Sequence, residues 1–158
     1  MKIVQYIKEA IAKVGGKSVK EGATEYGNDI YGEPIYEMSN LYKRKSGGLP
    51  MNLWIDDSGR WKSLNHKLPR LKFQPDRGES TSQLEHKGIP MEISDNPDIP
   101  ESVKKHNPKH DFSENEIELL RKFIRKYKNE LLRVSDPDDS EFDFGDFLEY
   151  IKDNPWNV

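Results

Sequence analysis

Residues 48–74 read GLPMNLWIDDSGRWKSLNHKLPRLKFQ, and the fold depends on how this stretch divides. Met51, Leu53 and Ile55 alternate with Asn52, Trp54 and Asp56, the period-two pattern of a strand with two chemically different faces. A turn follows at Asp56-Asp57-Ser58-Gly59. Asp and Ser side chains hydrogen-bond their own backbone there, and Gly accepts positive φ without steric cost. Residues 60–64 are then expected to return as the partner strand of a hairpin. Residues 69–74 add a further alternating run, with Leu71 and Phe73 on one side and Arg70, Lys72 and Gln74 on the other.

Working outward, residues 43–48 (Lys-Arg-Lys-Ser-Gly-Gly) are expected to form a basic, flexible loop leading into this hairpin, and Ile35 and Tyr36 suggest a short strand over 34–39. Beyond a polar, turn-rich stretch at 75–82, residues 82–87 and 90–94 are expected to form a second hairpin around Gly88 that extends the sheet. Residues 95–110 hold three prolines and few apolar side chains, and read as loop. Residues 113–134 make the strongest helix. Ser113 with Glu116 forms a capping box, and Ile117, Leu120, Ile124, Tyr127 and Leu131 form an apolar stripe. Asp136-Pro137 ends it. A short last helix over 143–152 presents Phe144, Phe147, Leu148 and Ile151 at helical spacing, and Trp156 anchors the end. At the other terminus, residues 2–14 read as an amphipathic helix carrying Ile3, Ile7, Ala10, Ile11 and Val14, stopped by Gly15-Gly16.

The expected fold class is therefore α+β: a small antiparallel sheet of three to five strands packed against a long C-terminal helix, with an N-terminal helix and a short last helix. One α+β domain over 1–134 and an acidic extension with a short helix over 135–158 account for the 158 residues. Apolar and charged shares of 34% each make the core small relative to its loops, while 3 Trp, 7 Tyr and 6 Phe keep it folded. With no cysteine there is neither a disulfide nor a thiolate metal site, so the cytoplasm is the expected location. Lys8, Glu9 and Lys13 interrupt the N-terminal apolar run, which argues against a signal peptide, and no stretch is long and apolar enough to predict a membrane span.

The net charge of −3 conceals an asymmetry. Residues 43–72 carry eight Lys/Arg against Asp56 and Asp57, whereas residues 136–153 carry eight acids against Lys152. Such a layout suits a basic contact face for an anionic partner, with an acidic segment that competes for that face or packs beside it.

Residues 65–74 (Asn-His-Lys-Leu-Pro-Arg-Leu-Lys-Phe-Gln), followed by short strands and a helix that ends in Asn129-Glu130-Leu131-Leu132, carry a family resemblance. Over about residues 49–134 the chain resembles a bacterial family of unknown function with an Asn-His-x-Pro-His-Phe-His-like strand, often encoded in toxin–antitoxin-like gene pairs. Arg70 and Lys72 stand where two of that family's three histidines would be, and His66 is retained. The resemblance implies a small antiparallel sheet with a helix across it, and binding to a partner.

His66 is the candidate for chemistry. Cations at 60, 62, 70 and 72 would keep it neutral and able to act as a base, although a turn or edge-strand residue is the plainer interpretation. His86, His106 and His110 lack the helical frame and the thiolates of a metal site. The acidic run from Asp136 fails as a calcium loop, since position six is Glu141 rather than Gly and position twelve is Phe147 rather than Glu. Asp143 and Asp146 read instead as helix-cap acids. No Walker, dinucleotide or nucleophile–His pattern is present in the sequence.

What remains is a candidate binding set on the sheet: Trp54, Arg60, Trp61, Lys62, Arg70 and Lys72, where cations bind phosphates and indoles stack. Alternating Lys and Arg also protect an edge strand from aggregation, which is the plainer reading. The expected function is a non-enzymatic binding or regulatory protein that uses this basic sheet face. A protein partner is expected first and a nucleic acid second, with no cofactor, no metal and no membrane. The alternative is a small hydrolase or nuclease using His66 with the Asp56-Asp57 turn.

Overall fold

The computed structural model describes residues 31, 38–57, 59–63, 68–74, 88–108 and 110–157, without the side chains of Arg60 and Ser63. The expected N-terminal helix, the 82–87 strand and His66 lie outside these residues. Strands β1 (Ser39–Leu41), β2 (Asn52–Ile55), β3 (Arg70–Gln74) and β4 (Ile89–Glu92) form one antiparallel sheet in chain order. Around it run α1 (Arg60–Ser63), α2 (Glu101–Lys104), α3 (Glu114–Lys126), α4 (Lys128–Ser135) and α5 (Phe144–Asp153), with a 3-10 turn at Lys43–Lys45 between β1 and β2. The fold is α+β.

The register explains the core. Leu53 lies opposite Phe73, and Phe73 opposite Ile89; Ile55 lies opposite Leu71, and Leu71 opposite Met91. These side chains and Leu41 line one face, and they join Ile117, Leu120, Phe123, Ile124, Tyr127, Leu131, Phe147, Ile151 and Trp156 in one buried cluster. Each such aliphatic or aromatic burial contributes roughly 1.5–3 kcal/mol. A slip of one residue would turn Trp54 and Lys72 into this layer, so the apolar alternation fixes the pairing. The C-terminal segment belongs to the same core through Phe147, Ile151 and Trp156.

Residues 60–63 of the expected partner strand do not return as a strand, and Leu64 lies outside the described residues. Asp56 accepts hydrogen bonds from the Gly59 N–H (3.1 Å) and the Trp61 N–H (3.2 Å), and Gly59 turns the chain at φ +74°. The segment therefore leaves the sheet as α1, and the indole Nε1 of Trp61 donates to the Ser135 carbonyl at the end of α4 (2.9 Å). The place beside β2 goes to β3. A Cβ on Gly59 would stand 2.6 Å from Pro137, so only glycine lets this connection close against the helical layer.

The helix expected over 113–134 is present as α3 and α4. Its capping box forms as read: the Ser113 Oγ accepts from the Glu116 N–H (3.2 Å) and Glu116 accepts from the Ser113 N–H (2.9 Å). The two helices meet at Tyr127, where φ −104° and ψ 19° bend the axis. Backbone bonds to Phe123 and from Leu131 continue on either side, so this is a one-residue bend. The Tyr127 ring packs edge-on against Phe123, Phe147 and Tyr150, and its hydroxyl donates to the Asn154 carbonyl (2.5 Å). Burial pushes the phenol up to about 12. Tertiary packing at this one side chain accounts for the bend. Helix α5 begins at the residues read as a helix cap and a first-turn acid, and Asp143 and Asp146 there form a second, reciprocal capping box. The stretch read as loop over 95–110 contains α2, which buries Val103 in the core.

Candidate functional site

The second face of the sheet carries Met38, Asn40, Asn52, Trp54, Arg70 and Lys72, since these alternate with the core positions. It is not an open basic plate. Trp54 is 1% exposed and Lys72 4%, and they lie opposite each other across β2 and β3. Asn40 and Asn52 are also buried. Arg70 is half-buried at the start of β3, opposite Glu92 in the register. Trp61 is half-buried on α1, with its indole committed to Ser135. Lys62 is exposed and reaches Asp136 (3.3 Å) and Asp138 (3.9 Å), with its ammonium 5.6 Å from the Trp61 ring centroid. Hydrogen bonds from the Asp138 N–H and then Lys62 hold the Asp136 carboxyl below the ordinary carboxylate range. One basic residue of the expected set is thus neutralised by the acidic segment of the same chain.

Cations on the outer flank of the helical layer are also paired. Arg121 donates to Glu114 (3.0 Å) and Glu118 (3.3 Å), and Arg125 to Glu118 (3.0 Å). Lys128 binds Asp95 (2.8 Å), Lys104 binds Asp98 (2.7 Å), and Arg133 binds Asp139 (2.8 Å). The Arg121 and Arg125 side chains also donate to the carbonyls of Pro97 and Asp95, which ties the 95–98 loop to α3. Hydrogen bonds first from Arg125 and then from Arg121 keep the Glu118 carboxyl below its ordinary value.

A different situation holds at the turn between β1 and β2. Lys43, Arg44 and Lys45 are exposed, and none has an acid within ion-pair distance among the described residues. The sequence suggested a flexible loop, yet the turn is held in place. The Lys43 N–H donates to the Asn52 Oδ1 (2.9 Å), the Ser46 hydroxyl donates to the Lys43 carbonyl (2.7 Å), and the Leu49 N–H donates to the Ser46 Oγ (3.0 Å). From the far end of the chain, the Trp156 indole donates to the Ser46 carbonyl and the Asn157 amide to the Gly47 carbonyl, both at 2.8 Å. Gly47, at φ +76°, brings the backbone against the Trp156 ring, where a Cβ would meet Nε1 at 3.2 Å. The Lys122 ammonium lies 5.9 Å from the Trp156 ring centroid and the Arg44 guanidinium 5.4 Å from that of Tyr42.

The candidate contact surface is therefore the basic turn. Its signal, three consecutive cations, was visible in the sequence but did not enter the expected site. Lys122 could not be assigned there from sequence, because contacts 110 residues apart bring Trp156 to the turn. Among the described residues no group of three His, Asp or Glu side chains is arranged to hold a metal ion, and no helix is long and apolar enough to cross a membrane. No protein-family model, curated protein or solved structure matches the chain.

Proposed function

We propose that the chain is a non-enzymatic binding or regulatory protein that contacts a protein or nucleic-acid partner through a basic surface. The observation that supports it is the run Lys43-Arg44-Lys45, exposed and without acid partners among the described residues, on a turn pinned by Asn52 of β2 and by Trp156 near the C-terminus. Rigid presentation matters because binding then costs little ordering entropy. The sheet residues first expected to make the contact are less suited to it, with Trp54 and Lys72 interior and Lys62 paired to Asp136. The resemblance of residues 65–74 to the toxin–antitoxin-like family favours a toxin-like protein as the proteinaceous partner, and the cysteine-free sequence favours a cytoplasmic setting.

Capture from a lysate, with and without nuclease, tests this reading when the natural chain is compared with K43A/R44A/K45A. The expected result is a partner retained by the natural chain and lost by the triple variant at an unchanged melting temperature. Equal capture by both proteins would defeat the basic-turn reading.

A further inference from the structure

We infer that the basic turn together with Lys122 binds the phosphate backbone of double-stranded nucleic acid without reading its sequence. This rests on the binding reading above and gives that surface a ligand class. Three cations stand on consecutive residues of the turn, and a fourth, Lys122 on α3, lies over the ring of Trp156, whose indole hydrogen-bonds the turn. Arg121 and Arg125 on α3 and Lys128 on α4 have their charge already met by carboxylates, whereas the cations of the turn have no acid partner among the described residues, so an outside anion gains more at the turn than at these pairs.

The aromatic residues decide between a single strand and a duplex. Single-strand binding needs open rings on which bases stack. Here Trp156 is 4% exposed, with the Phe123 ring nearly perpendicular to its own at 6.1 Å between centroids, Lys122 over it and Nε1 engaged. Tyr42 is half-buried with Arg44 over its ring, and Trp54 is interior. Charge is available without a stacking platform. A duplex carries one negative charge per about 1.7 Å of axis, so a compact group of cations meets several phosphates at once.

The densest acidic run, residues 136–143, lies at the far end of α5 from this turn. Residues 136–143 precede the N-terminal end of α5, whereas Ile151 near its C-terminal end approaches Gly47. Ten helical residues span about 15 Å, beyond the roughly 8 Å screening length at physiological salt. Asp153 at the near end is preceded by Lys152, which offsets its charge.

Fluorescence anisotropy with a short mixed-sequence duplex, and with a single strand of equal length, tests the inference over a salt series. The natural chain is expected to bind duplex in preference to single strand, with log K falling against log salt at a slope of about −3.6 for four phosphate contacts. K43A/R44A/K45A should reduce that slope by about 2.7 and K122A by about 0.9, while K128A, whose ammonium binds Asp95, should leave it unchanged. No duplex binding at low salt, tighter binding of single strand, or an unchanged slope in the triple variant each overturns the inference. If the triple variant instead loses a nuclease-resistant protein partner and the natural chain has no duplex affinity, the binding reading stands and the nucleic-acid assignment falls.

Discussion

Two basic stretches that look alike in sequence end in opposite surroundings. Arg70 and Lys72 alternate with apolar residues on β3, and Lys72 is buried opposite Trp54 in the second face of the sheet. Lys43, Arg44 and Lys45 are merely consecutive, yet all three stand in solvent on a turn fixed by Asn52 and Trp156. Alternation reports that a strand has two faces, but it does not report that the second face is open. The turn is instead held by a return of the chain from far away, and that difference moves the proposed contact surface from the sheet to the turn.

The sharpest way to break this comparison is at Trp54. As an interior residue its replacement by Ala should cost about 3–5 kcal/mol, read as a large drop in the denaturant midpoint. A loss within about 0.5 kcal/mol would mean that the face is open after all. Next in size is Gly59→Ala, which combines a left-handed backbone with a contact 2.6 Å from Pro137. It should cost roughly 2–3 kcal/mol, and a neutral outcome would remove the reason given for residues 60–63 leaving the sheet.

Much of the fold was legible because its signals are local. The apolar alternation of Leu53 and Ile55, and of Leu71 and Phe73, gave two strands, and the Ser113–Glu116 capping box and the Asp143 cap gave helix starts that the structure shares. The failure at residues 60–63 is equally physical. So short a run with period-two character does not separate a strand from a short helix. The deciding contacts were Asp56 bonding to the Trp61 N–H and the Trp61 indole reaching Ser135, 74 residues away. The bend at Tyr127 was hidden for the same reason, since its ring meets Phe147 and Tyr150 on a separate helix. For the site, the cations of the turn were readable as a charge run, while their lack of acid partners among the described residues and the approach of Lys122 to Trp156 were not.

The smallest expected effect concerns the paired cations that serve as the contrast to the turn. The folded-state pKa of Glu118 lies below its ordinary value, so the folded chain binds fewer protons there than the unfolded chain. Its stabilisation is full above the ordinary glutamate value near ~4.3 and is lost as pH falls through the lower folded value. Glu118→Gln should therefore lower the melting temperature by at most ~2 °C at neutral pH and low salt, with the gap closing in acid. A gap that persisted unchanged at low pH would show that the carboxylate charge is not its source.

The most direct measurement is lysine reactivity, mapped residue by residue by mass spectrometry after brief acetylation, with the captured partner present and absent. The account predicts that Lys43, Lys45 and Lys122 react readily in the free chain and are shielded by the partner, while buried Lys72 is slow in both states. Protection confined to Lys62 and Lys72, with the turn equally reactive in both states, would contradict it and return the contact surface to the sheet.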